Sequence, residues 1–212
     1  MNFKFSVVKY FGPSIMKVEM PKELINILNK YVDEILLDDK KKSELNHGEF
    51  LIGDVTQEFR LENDFIQKSG WGNFLVTCVK KWIEIENNQT IKEFKIKNSW
   101  IVRQFKNEYN PTHWHAGHIS GAGFLKVPKS LGISSQKKNT KPYFGGNLQL
   151  IHGSKMFLSN SLLSIEPKVG DFYFFPNYLM HCVFPFKDSN EERRSISFNA
   201  LIDENIYNVY GN

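Results

Sequence analysis

Three histidines fall within six residues, His113-Trp114-His115-Ala116-Gly117-His118. A fourth, His181, comes much later, with the pair Arg193-Arg194 behind it. Imidazole is the commonest protein ligand for transition metals. A single residue between His113 and His115 lets both rings converge on one ion, because positions i and i+2 of an extended segment point the same way. His181 sits in the apolar run Tyr178-Leu179-Met180-His181-Cys182-Val183-Phe184, where a buried ring needs a partner. A backbone carbonyl could serve, but with two histidines upstream and an arginine downstream a metal is the better reading. His118 could replace His115 as a ligand, position a substrate or cap the loop. His152, before Gly153, suits a turn, and His47 lies in a polar stretch expected to be exposed.

The arginines open the last strong strand, Arg193-Arg194-Ser195-Ile196-Ser197-Phe198-Asn199-Ala200. Alternation places Arg193, Ser195, Ser197 and Asn199 on one face and Arg194, Ile196, Phe198 and Ala200 on the other. An arginine with a serine two residues on can hold a carboxylate through a guanidinium fork and a hydroxyl. A one-residue slip of register would exchange Arg193 and Arg194 in that role. The layout reads as an iron site with an anion-binding residue beside it.

The elements that must position these groups are mostly strands. Residues 3–20 alternate around Gly12-Pro13, as one or two short strands with a turn. Pro21 opens a helix through residue 36, with Leu24, Leu28, Tyr31, Val32 and Ile35 at helical spacing. The polar stretch 38–48 interrupts it. A second helix is expected over 73–86, with Phe74, Cys78, Trp82 and Ile85 as its apolar stripe. From residue 91 strands dominate: 91–97, 99–105, 121–127, 147–152, 156–158, 162–165, 172–175, 179–185 and 195–202, separated by Gly- and Pro-rich turns. Residues 129–142 are polar and read as a loop, a candidate lid over a site. Many short strands with frequent turns predict a jelly roll, with the front helices buttressing one sheet. The expected organisation is one domain over 1–212, with 1–90 as support and 91–205 as the β core.

Bulk properties fit that plan. The chain has 212 residues, enough for a sizeable core, and its net charge of +4 permits an acidic ligand without indicating nucleic acid. Its two cysteines, Cys78 and Cys182, have no zinc-ribbon spacing and read as free thiols of a reducing cytoplasm. No apolar run reaches membrane-spanning length.

Together the segments Asn110-Pro111-Thr112-His113-Trp114-His115, Ile119 to Pro128, Gly170 to Pro176, His181, and Glu192 to Asn199 resemble the iron(II)/2-oxoglutarate-dependent dioxygenases. The likeness is to small members related to prolyl hydroxylases, and it covers residues 95–202. It implies a double-stranded β-helix, mainly β, buttressed by two or three N-terminal helices. It implies Fe(II) held by His113, His115 and His181, and 2-oxoglutarate held by Arg193 with Ser195. Arg194, Asn199, Arg103, Tyr109 and His118 are further candidates. The implied activity is hydroxylation of a substrate C–H by O2, with release of succinate and CO2, on an unidentified substrate for which a protein side chain is the leading analogy. The departure is His115, which stands where the wider superfamily has Asp or Glu, and no acidic residue occurs between Tyr109 and Lys141. That departure keeps open a cupin-like three-histidine metalloenzyme that uses no 2-oxoglutarate, as well as a non-catalytic jelly-roll binding module.

Overall fold

In a computed structural model, residues 3–9, 12–48, 53–135 and 143–210 are described. The elements run β1 (Phe5–Lys9), β2 (Ser14–Glu19), α1 (Lys22–Leu36), α2 (Asp39–Leu45), β3 (Gln57–Arg60), α3 (Asn63–Lys68) and α4 (Trp71–Asn87). They continue with β4 (Phe94–Gln104), β5 (Asn110–His113), β6 (Ile119–Lys126), β7 (Leu148–Ile151), β8 (Leu162–Ile165), β9 (Asp171–Pro176), β10 (Met180–Val183), β11 (Arg193–Ile202) and α5 (Glu204–Tyr207).

Two antiparallel sheets face each other. The larger has seven strands in the order β1-β2-β9-β6-β11-β4-β3, and the smaller has four in the order β5-β10-β7-β8. This is a jelly roll, mainly β, with helices on the outer face of the large sheet. The apolar stripe of α1 (Leu24, Ile25, Leu28, Val32, Ile35) and that of α4 (Trp71, Phe74, Leu75, Val79, Trp82) bury against Met16, Val18, Phe172, Phe174 and Phe198. Each such side chain contributes about 1.5–3 kcal/mol on removal from water, so this layer holds the sheet flat against its helices. Packing is tight along β6. A Cβ at Gly121 would lie 2.6 Å from the Phe172 ring and 2.8 Å from the Tyr173 carbonyl oxygen, so only glycine lets β9 and its phenylalanines approach. A second, smaller core of Ile15, Phe124, Leu148, Leu150, Ile165, Phe175 and Leu179 fills the space between the sheets.

Several expectations change at this level. The segments 91–97 and 99–105 form one long strand, β4, whose register with β11 shifts at Asn199/Ala200. The polar stretch 38–48 contains a short helix, α2, started by the Asp38 carboxylate accepting from the N–H groups of Lys40 and Lys41. Met156–Leu158 is not a strand. It is an exposed turn closed by an isolated bridge from Met156 to Ser159, and Leu158 there takes a φ of 61°. His47 is half-buried, its N–H donating to the Glu58 carbonyl at 2.7 Å. Of the loop 129–142, residues 136–142 lie outside the described residues.

Candidate metal centre

Strand pairing, not local sequence, assembles the histidines. β10 runs antiparallel to β5, and His181 stands directly opposite His113 in that register. Side chains of a directly opposed pair share one face of the sheet. His115 lies just past the end of β5, its N–H donating to the Asn177 carbonyl at 3.0 Å, while Asn177 Nδ2 donates to the His115 carbonyl at 3.1 Å. These two bonds fold the chain back so that the third ring joins the other two. Ring centroids are 4.3 Å apart for His113 and His181, and 4.9 Å for each of the other pairs. One ring nitrogen from each comes within 4.8 Å of the others, and the Nε2 atoms of His115 and His181 are 3.1 Å apart.

Two of the rings are held in one tautomer. His113 Nδ1 donates to the Pro111 carbonyl at 2.7 Å, and His181 Nδ1 donates to the Leu179 carbonyl at 2.9 Å. Each bond reaches back two residues, fixes the proton on Nδ1 and leaves the Nε2 lone pair facing the cluster, as metal-ligating histidines require. Burial, with the neighbouring rings adding to it, pushes His115 down to about 3. Burial and the His113 charge bring His181 down to about 4, and burial also lowers His113. All three imidazoles are therefore neutral near pH 7. A cluster of neutral, converging rings suits a cation. Among the described residues it contains no carboxylate.

The rings open into a cavity of about 250 Å3 between the sheets, whose lining includes Trp100, Trp114, Ala122, Phe124, Leu148, Phe175, Arg193 and Ser195. Trp100 packs edge-on to His115, and Phe175 lies 5.0 Å from His181. Arg193 reaches the cavity from the large sheet. It is 2% exposed, donates from Nε to the Gly146 carbonyl at 2.9 Å and from Nη1 to Ser195 Oγ at 3.3 Å, and stacks over Phe124. Burial alone pulls its guanidinium down to about 9, which leaves it charged at neutral pH. Among the described residues no carboxylate comes within ion-pair distance of it. A buried, unpaired cation is costly unless something anionic joins it.

The remaining candidates go elsewhere. Arg194 points to the opposite face of β11 and is satisfied by Asp33, Glu192 and both oxygens of Asn29. Arg103 pairs with Glu192 at 2.8 Å and bonds Gln57. His118 lies outside the cluster. It stacks on Tyr207 at 3.9 Å, and its Nδ1 accepts from the Ile202 N–H at 3.1 Å. Asn199 accepts from Ser120 Oγ at 2.7 Å, and neither Asn199 nor the exposed Tyr109 lines the cavity.

One cavity residue carries no signal in the sequence. Glu58, on β3, is buried in the lining, and its Oε2 lacks a hydrogen-bond partner. β3 is four residues long and mostly polar, so no alternation marks it. Only its pairing with β4 brings Glu58 into the row Glu58–Val102–Ser195.

Residues 98–199, which include the three histidines and Arg193, match the family described as "Putative 2OG-Fe(II) oxygenase". In that stretch, just under half of the chain, the sequence is similar to the 2OG-Fe(II) oxygenases. Solved structures share the fold over most of the chain. A prolyl-4-hydroxylase from Pseudomonas putida aligns at a TM-score of 0.56 and 16% identity, covering 92% of this chain and 91% of that one. The viral collagen prolyl hydroxylase of Paramecium bursaria Chlorella virus-1, solved as a 2OG complex, aligns at 0.52 and 13%, covering 88% and 94%. HygX from Streptomyces hygroscopicus, solved with iron bound, aligns at 0.53 and 11%, covering 92% and 81%. At these identities the likeness is one of fold. No curated protein matches the chain. This chain departs from the family's usual HxD pattern, with His115 in the acidic position.

Proposed function

We propose that this protein is an Fe(II)- and 2-oxoglutarate-dependent hydroxylase, the whole chain acting as one domain. Arg193 carries the reading: a buried guanidinium with no carboxylate partner among the described residues shares a cavity with three converging neutral imidazoles. The donor set fits iron. His113, His115 and His181 would hold it through ring nitrogens, and the Pro111 and Leu179 carbonyls orient two of the rings. Arg193 and Ser195 would hold the far carboxylate of 2-oxoglutarate, each charged hydrogen bond contributing about 1.5–3 kcal/mol. When bound, iron and 2-oxoglutarate supply, with O2, the oxidation of a C–H bond to C–OH, with succinate and CO2 as products.

The chain's own groups place and shield that chemistry. Phe124, Leu148 and Phe175 keep the cavity dry, which strengthens the hold of Arg193 on an anion. Trp100 restrains the His115 ring from the side. The neutral triad leaves the full dipositive charge on the ion, which favours an anionic co-ligand. Structural relatives named as prolyl hydroxylases support a protein side chain as substrate. The two free thiols suit a reducing cytoplasm.

The test is succinate formation by the purified protein with Fe(II) and 2-oxoglutarate, together with calorimetric titration of 2-oxoglutarate. Absence of both would overturn the reading. The competing three-histidine metalloenzyme that uses no 2-oxoglutarate draws on His115 alone, and it requires Arg193→Ala to retain activity.

A further inference from the structure

Arg193 and Glu58 line one cavity, and among the described residues they form no ion pair, so neither answers the other. The 2-oxoglutarate assigned above answers Arg193. Nothing so far answers Glu58. It is 1% exposed, and its Oε2 has no partner among the described residues. Strand register sets it apart from the clamp: Glu58 pairs with Val102, and Val102 pairs with Ser195. The Glu58 backbone is therefore two strand spacings from that of Ser195, about 10 Å.

A second orphan acceptor lies in the same lining. Asn110, at the start of β5, also has a buried Oδ1 without a partner. Glycine at residue 53 leaves it room: a Cβ there would meet that oxygen and displace it. Glu108 adds negative charge nearby. Its own oxygens accept from the Thr56 N–H and hydroxyl and from the Phe105 N–H, so it is already satisfied. The cavity lining thus holds an anion-seeking group, Arg193, and two unpaired acceptors, Glu58 and Asn110. Buried acceptors left unpaired cost free energy until a donor arrives, and an acid in a dry site selects a charged donor over a neutral one.

We infer that Glu58 and Asn110 form the recognition site for a protonated nitrogen of the prime substrate, an alkylammonium or guanidinium group held beside the C–H that is oxidised. This assignment of substrate class rests on the oxygenase reading. Burial and the Glu108 charge push Glu58 up to about 7 in the free protein, so it releases its proton near neutral pH and a bound cation would favour the ionised form.

The full chain, loaded with Fe(II) and 2-oxoglutarate without oxygen, is titrated calorimetrically with butylammonium and butylguanidinium chlorides and with butanol and butyrate. At least one cation should bind more tightly than the neutral and anionic probes by roughly tenfold or more, the scale of one charged hydrogen bond. That preference should collapse in Glu58→Gln, which keeps the shape and removes the charge. Asn110→Ala should weaken cation binding less. Equal binding of all probes, no binding of any, or a preference unchanged in Glu58→Gln overturns the inference. Succinate formation by the wild type is measured separately. Succinate without cation preference sinks this assignment alone, whereas cation preference with neither succinate nor 2-oxoglutarate binding leaves a cation site and removes the oxygenase reading.

Discussion

Arg193 and Arg194 are adjacent in sequence and point to opposite faces of β11. Arg193 enters the cavity beside Ser195, and Arg194 crosses to Asp33 on α1 at 2.7 Å. The pair therefore separates two kinds of failure. Arg193→Ala should weaken 2-oxoglutarate binding by roughly 10- to 100-fold, the value of one charged hydrogen bond, with a small change in melting temperature. Arg194→Ala should lower the melting temperature instead, because it leaves Glu192 half-paired and buried. Calorimetry with 2-oxoglutarate and thermal unfolding of both variants check this.

Metal retention should follow ring geometry, not closeness in sequence. His113→Ala and His181→Ala each remove one of the converging nitrogens and should bring bound iron from near-stoichiometric to near zero. His118→Ala, only three residues from His115, should keep its iron, because that ring serves Ile202 and Tyr207. Elemental analysis of anaerobically loaded protein decides between them.

Acid should act through Glu192. Burial would raise its carboxyl, but hydrogen bonds and charge from Arg194 and Arg103 prevail and hold it below the ordinary range. Asp33 is likewise held low by Arg194 and Lys126 against its burial. A carboxyl depressed in the folded state contributes stability above its unfolded pKa and loses it as pH falls through the folded value. The melting temperature should therefore drop as pH falls below about 4, the unfolded carboxylate range. The drop should be smaller in Glu192→Gln, which should itself be less stable at pH 7.

Overpacking β6 should be costly. Gly123→Ala sets a methyl against the Phe172 ring and 3.0 Å from the Asp171 carbonyl oxygen, and Gly121→Ala meets Phe172 and Phe198. These rings are fully buried between sheet and helices, with little room to yield. A loss of about 1–3 kcal/mol is expected for each, read by denaturant unfolding. Equal stability to the wild type would mean that β9 can move away.

What the sequence disclosed divides along the same line as the fold. His113, His115 and His181 were legible from residue type, spacing and an apolar setting, and Arg193 and Ser195 from the alternation of one strong strand. Arg193 and Arg194 could be ranked only once the register with β4 was known. Glu58 was illegible: a polar four-residue strand gains its place solely from pairing with β4. The short helices α2 and α3 carry too few apolar positions to show a period, and Met156–Leu158 is apolar yet exposed. The joining of 91–97 with 99–105 was hidden by a bulge within β4 itself, where Asn199 pairs with Asn98 and Ala200 with Ile96, so that Lys97 interrupts the alternation.

The imidazole cluster stands on the four-strand sheet, and the guanidinium stands on the seven-strand sheet. Their separation is thus set by sandwich thickness. Phe124, Leu148, Phe175 and Leu179 act as the spacers of a caliper. Trimming one of them would alter which length of dicarboxylic acid can bridge the jaws, without touching a single residue that grips it.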